Sequence, residues 1–160
     1  MKMVLTNTEK GFLAGIIEGE GAVFMTKKKC LSMKQRFQLI PTIDVTNTDK
    51  NLINYVNFLT TKIRNKKDEH SKTRVEFVQR SNWSPKWKYG LRVRVNDNNT
   101  IIDIINEILP ILISKKRKAK FLLKYCKSRL IGFGKKPHPY NKQELEIYDE
   151  VKKMNKRGRQ

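Results

Sequence analysis

The spacing of apolar positions changes period several times along the chain, and each change marks an element. Thr6-Asn7-Thr8-Glu9 has the Ser/Thr-x-x-Glu spacing that satisfies the first amides of a helix, and the apolar stretch Phe12-Leu13-Ala14-Gly15-Ile16-Ile17 follows it. This predicts a helix over residues 7–19. Between Ala22 and Thr46 the period falls to two: Phe37, Leu39, Ile43 and Val45 alternate with Gln38, Thr42 and Asp44, as in a strand with one wet face. Ala22 to Met25, with the lysines after them, supplies its hairpin partner, the turn lying near Cys30 to Lys34.

Thr48 and Asp49 can cap a second helix, on which Leu52, Tyr55, Val56, Leu59 and Ile63 recur at helical spacing until the polar residues 65–72. Two more alternating runs follow. Arg74, Glu76 and Arg80 interleave with Val75 and Phe77, and Lys88, Arg92 and Arg94 with Tyr89, Leu91, Val93 and Val95; turn residues at 81–85 join them into a second hairpin. After Asn98-Asn99-Thr100 an Ile-rich helix runs to the residue before Pro110. Ser114 can cap another, carrying Phe121, Leu122, Tyr125 and Leu130 and stopped by Gly132. Past a loop at 134–140, Asn141 and Glu144 open a last helix with Leu145, Tyr148, Val151 and Met154 on one side.

Two helix-hairpin units in series predict one α+β domain spanning residues 1–160, with four antiparallel strands, helices on the opposite face and a basic tail from about 155 to 160. The length of 160 residues suits a single core, and 38% hydrophobic content excludes general disorder.

Charge changes the picture most. Thirty-five Lys and Arg against fifteen Asp and Glu leave a formal +20, which points to a polyanionic partner. No run approaches the roughly 20 apolar residues of a membrane span, and the N-terminus lacks a secretory pattern. We therefore expect no membrane and an intracellular protein. Cys30 and Cys126 read as free thiols, and the isolated His70 and His138 exclude zinc spacing, so a metal would need oxygen ligands.

At the polar phase of the strands stand Lys27, Lys29, Gln38, Thr42, Asp44, Arg74, Glu76, Arg80, Lys88, Arg92 and Arg94. These side-chain types read base edges when a β-ribbon enters the major groove of double-stranded DNA. A solvated sheet face is the plain alternative.

The sharpest signal is Leu13-Ala14-Gly15-Ile16-Ile17-Glu18-Gly19-Glu20-Gly21. At about 100° per residue, Leu13, Ile16, Ile17 and Glu20 share a sector that should be buried, and Glu18 lies away from it. A carboxylate on that stripe, at a helix C-terminus, needs a cation: Lys or Arg from elsewhere, or a hard divalent ion. Gly11, Gly15 and Gly19 form another stripe, open to a second backbone. A surface helix fraying at Gly19 is the bland alternative.

Leu13 to Gly21 resembles the signature of the LAGLIDADG homing endonucleases, and the order of elements and the length resemble their single-motif members. The resemblance implies an αββαββα fold with a saddle-shaped sheet. It also implies a homodimer with signature helices paired on its two-fold axis, so Leu13, Gly15, Ile16 and Gly19 would lie at the interface. It implies an intron-encoded enzyme that makes a double-strand break in a long, near-palindromic DNA target. Glu20 would then hold metal, with the Gly21 carbonyl as a further ligand and Mg²⁺ as the ion (or Mn²⁺, with Ca²⁺ a non-productive substitute). Asn47 matches a water-ordering residue, with Lys50 and Asn51 both in range of a following cationic role. Lys115, in Leu112-Ile113-Ser114-Lys115, matches a charge-stabilising lysine, with Lys116 the alternative. An intron maturase that binds intron RNA without cutting resembles the same family; a ribosomal protein fits size and charge but gives no reason for Gly15, Gly19 and Glu20. The frequent Lys, Asn and Ile suggest an AT-rich genome, so the expected compartment is an organelle, chloroplast or mitochondrion, or else prokaryotic or archaeal cytoplasm.

Overall fold

A computed structural model of the chain describes residues 4–63, 74–78, 90–130 and 138–157. The expected turn at 81–85, Arg80, Lys88 and Gly132 lie outside the described residues. In chain order the elements are α1 (Asn7–Gly19), β1 (Gly21–Lys29), β2 (Phe37–Asn47), α2 (Lys50–Ile63), β3 (Arg74–Val78), β4 (Gly90–Val95), α3 (Asn98–Ile108), α4 (Lys116–Leu130) and α5 (Lys142–Arg157). The fold is α+β, as the alternation of periods predicts.

All strand pairs are antiparallel, and the sheet order is β1-β2-β4-β3, so the second hairpin joins the first through β4. Val23, Met25, Leu39, Ile43, Val45, Leu91, Val93 and Val95 make one face, which packs with the helices into a single core. The caps behave as their local patterns require. Glu9 Oε2 accepts the Thr6 amide at 2.7 Å and Thr6 Oγ1 the Glu9 amide at 3.2 Å. At α5, Glu144 and Asn141 exchange the same pair of bonds at 3.0 and 2.9 Å.

Three boundaries differ from expectation. Asp97 caps α3 through the Thr100 amide, so Asn98 to Thr100 are its first turn rather than its lead-in. Helix α5 runs to Arg157, so the start of the expected basic tail is helical. Ser114 does not cap α4; its hydroxyl donates to Glu18 instead.

The entry of α1 into β1 sets up the site. A Cβ at Gly21 would stand 2.7 Å from Ile17 Cα and 2.8 Å from its carbonyl oxygen, so only glycine lets the strand leave so close under the helix end.

Beyond β4 the first half of β2 has no strand neighbour on its far side among the described residues. There Tyr140 Oη accepts the Leu39 amide at 2.8 Å, and Tyr125 Oη donates to the Leu39 carbonyl at 3.0 Å. Pro41 shares Leu39's phase opposite β1, so its missing N–H falls on that same side and interrupts no ladder bond. Tyr125 is buried, and burial, the largest influence, raises its pKa far above the ordinary phenol range.

Candidate active site and nucleic-acid interface

Register decides which strand residues share the open face. Ala22, Asp44, Arg94 and Arg74 stand in one cross-strand row, and Thr46, Arg92 and Glu76 in another. Arg92 and Arg94 on β4 sit between Asp44 on β2 and Glu76 on β3. Arg94 donates to Asp44 at 3.1 Å, Arg92 approaches the same carboxylate at 3.9 Å, and Arg92 donates to Glu76 at 3.1 Å. Gln38 shares this face and is exposed.

Two expectations about the face are corrected. Lys27 pairs with buried Leu39 and Lys29 with Phe37, so both follow the phase of Val23 and Met25 on the helix side of the sheet. They stay in solvent because they lie past the end of the core, and Lys27 rests its ammonium 3.9 Å from the Phe37 ring centre. Lys28, opposite Gln38, takes the open-face position. The signal was available, since two apolar residues at 23 and 25 fix the phase of 27 and 29. Thr42 has the open-face phase but is only 2% exposed, because its hydroxyl donates to Asn96 Oδ1 at 3.1 Å. Asn96 lies beyond the alternating run, so sequence spacing did not single it out.

Helix α1 turns Leu13, Ala14 and Ile17 inward. Leu13 is 0% exposed and belongs to the chain's own core, which corrects its placement at an interface with another copy. Gly11, Gly15 and Gly19 meet nothing within 4 Å at their would-be Cβ positions, and Ile16 is half-buried beside them. Phe12, on the same open side, packs edge-on against Tyr55 with centroids 5.0 Å apart, and Tyr55 stacks on Phe58, which is 53% exposed.

Glu20 departs from the expected burial. It is the C-cap of α1, with φ −107° and ψ −13°, and it is exposed. The helix ends one residue before the stripe would carry Glu20 under the core. A cation does lie nearby, Lys115, but it bonds backbone carbonyls rather than the Glu20 carboxylate. The Lys115 ammonium donates to the carbonyls of Ile17 at 2.6 Å, Glu18 at 2.6 Å and Gly21 at 2.7 Å. Burial pulls its pKa below the ordinary lysine value, opposed by the charges of Glu18 and Glu20.

In the sequence Glu18 stands out only for lying off the apolar stripe. It accepts the Ile113 amide at 2.8 Å, the Lys115 amide at 3.1 Å and the Ser114 hydroxyl. Burial works against its charge, yet these bonds hold its carboxyl below the usual range. Its partners are about a hundred residues away, beyond any spacing argument. Asn47 Oδ1 accepts the Asp49 amide at 2.8 Å, and Asp49 in turn caps α2 through Asn51 and Leu52. Lys50 and Asn51 both stand in the first turn of α2.

Among the described residues no three His, Cys, Asp or Glu side chains gather as a metal centre. One chain offers a hard-oxygen pair, the Glu20 carboxylate and the adjacent Gly21 carbonyl, which suits Mg²⁺ chemically but leaves most of a six-oxygen shell to other donors. No described helix is long and apolar enough to cross a membrane.

No family model and no curated protein matches the sequence. Solved structures do match. The archaeal intron-encoded homing endonuclease I-Vdi141I, complexed with DNA, is 16% identical with a TM-score of 0.69 over 92% of this chain and 84% of that one. I-CvuI, in complex with the I-CreI target in the presence of 2 mM Mg with the DNA not cleaved, is 14% identical with a TM-score of 0.63 over 92% and 80%. The I-SmaMI LAGLIDADG homing endonuclease, bound to cleaved DNA, is 14% identical with a TM-score of 0.60 over 95% of this chain and 44% of that one. At these identities the likeness is one of architecture, and the fold is that of the LAGLIDADG homing endonucleases.

Proposed function

We propose that the chain is a site-specific, intron-encoded DNA endonuclease that works as a homodimer and cuts both strands of a long, near-palindromic target by phosphodiester hydrolysis. The observation that carries the reading is the Lys115 ammonium on the Gly21 carbonyl, directly after Glu20, where α1 enters the sheet that bears Arg92 and Arg94. The solved structures of the same fold that hold DNA support it.

The open side of α1 supports pairing of two copies. Its glycines admit a second backbone, and Phe12, Tyr55 and Phe58 flank them with apolar surface. Gly15, Gly19 and Ile16 would lie at that interface, bringing two Glu20 carboxylates together. Mg²⁺ bound there would activate water and stabilise the departing 3′-oxygen. Glu20 and the Gly21 carbonyl of each copy would hold the ion in place. Asn47, its Oδ1 committed to Asp49, orients water through its side-chain amide. Lys115 stabilises charge at the scissile phosphate, with Lys116 the next candidate.

On the sheet, an arginine pair with a partly exposed acid is worth about 0–1 kcal/mol. A bidentate arginine–guanine contact is worth about 1–3 kcal/mol. Arg92 and Arg94 therefore exchange their acids for base edges at a net gain, and Gln38, Asp44, Arg74 and Glu76 share the reading.

The test is incubation with a library of DNA sites and Mg²⁺, followed by sequencing of cut ends; one recurrent near-palindrome cut on both strands is expected, and uncut or randomly cut DNA would overturn the reading. Sedimentation should show two copies on each site.

One observation favours a second reading, an intron-RNA maturase. Helix α4 carries seven Lys and Arg and no acid, and Arg117, Lys120, Lys124 and Lys127 are exposed on its side away from the core. RNA binding lost on replacing these four, with DNA cleavage intact, would support it.

A further inference from the structure

Lys115 is held more tightly than a phosphate-directed lysine requires. An ammonium has three hydrogens, and three carbonyls accept all of them, those of Ile17, Glu18 and Gly21. Two belong to the last turn of α1, where carbonyls lack helical partners and favour a cation. The third is the oxygen that the reading above gives to the divalent ion. An oxygen turned toward an ammonium 2.7 Å away cannot also take Mg²⁺ at about 2.0–2.1 Å without setting two cations a few ångströms apart in a part-buried site.

We propose that the Lys115 ammonium is a built-in placeholder for the divalent cation: it neutralises the end of α1 in the free chain and must leave the Gly21 carbonyl when the metal binds. The inference rests on the reading of Glu20 and Gly21 as ligands. Glu18 makes the exchange local. It fixes the backbone amides of Ile113 and Lys115, so residue 115 stays in place while its flexible stem swings. Metal binding and delivery of a positive charge toward the phosphate are then one event. Lys115 is in this respect an antagonist of metal binding as well as a contributor to the chemistry.

The test is calorimetric titration of Ca²⁺ into the full-length protein and into Lys115→Met, which keeps the stem and loses the charge. Lys115→Met should bind Ca²⁺ about tenfold more tightly, in the range of coupling between adjacent sites. That gain should vanish in Lys115→Met combined with Glu20→Gln. Equal or weaker binding by Lys115→Met, with Glu20 still required, overturns the placeholder and leaves the metal reading standing. Absence of Ca²⁺ binding by every form overturns the metal reading and the placeholder with it. Should Lys115→Met fail to fold, ¹⁵N side-chain NMR of the wild type decides: the Lys115 Nζ signal, assigned with Lys115→Arg, must move on Ca²⁺ addition, and a signal unmoved at saturation overturns the proposal.

Discussion

The open face of the sheet and the end of α1 both set acids beside bases, but they join them in opposite ways. On the sheet the contacts run from side chain to side chain: Glu76, Arg92, Asp44 and Arg94 form a chain of part-buried forks and carboxylates. At α1 each residue grips the other's backbone. The Glu18 carboxylate takes the Lys115 amide, and the Lys115 ammonium takes the Glu18 carbonyl. Pairs between mobile side chains can be traded for a ligand, whereas the Glu18 bonds to backbone amides fix where residue 115 stands. The sheet is built to exchange its partners, the end of α1 to hold a backbone in place while one ammonium moves.

The sharpest way to break this contrast is Glu20→Gln, which nearly preserves shape and removes the charge proposed to hold metal. Cleavage should disappear in a gel assay while DNA affinity stays the same or rises; full Mg²⁺-dependent cutting would exclude Glu20 from the site.

Glu18→Ala comes next. It strips the acceptor from two amides and a hydroxyl, and losing bonds to a charged group costs about 1–3 kcal/mol. The urea midpoint should fall at constant slope, with cleavage reduced further than stability explains, because Lys115 loses its footing. Glu18→Gln, which keeps an acceptor oxygen, should lose less of both.

On the sheet, Arg94→Ala should cost about 1–3 kcal/mol at one base position and little elsewhere. Lys116→Ala should instead weaken all sequences alike and lower the slope of log K against log salt by about one. A panel of single-base variants at several salt concentrations separates the two, and a uniform loss for Arg94→Ala would make the sheet a positioning surface only.

The smallest effect is expected at Glu9, which joins α1 to α2 through Lys62 at 2.7 Å. The Lys62 bond, followed by the Thr6 amide, lowers its pKa from 4.5. A depressed carboxyl contributes stability above its unfolded pKa and loses it as pH falls through the folded value. Glu9→Gln should therefore flatten the decline in urea midpoint as the pH falls below about 5.

What could be read from the sequence was what neighbouring residues decide together. The caps at Thr6 and Asn141 and the phases of Arg92 and Arg94 depend on residues two to four positions away, and they stand where the pattern put them. The stop of the helix before Pro110 is of the same kind. Errors entered where a run outlived its element. Glu20 continued a stripe past the last helical turn, Lys27 and Lys29 continued a strand past its core, and Leu13 was assigned to another copy although its own chain buries it. Glu18 and Asn96 stayed invisible because the tertiary fold supplies their partners, Ser114 in one case and Thr42 in the other.

The two phenols on Leu39 carry a consequence for how copies of this chain can coexist at high concentration. A strand longer than its neighbour ordinarily offers bare amides and carbonyls to any passing chain. Here Tyr140 and Tyr125 occupy one donor and one acceptor, and Pro41, two residues on, has no donor to give. The long hairpin can project past β4 without recruiting a foreign strand, which keeps association of copies away from that edge and is what the proposed pairing through the open side of α1 requires.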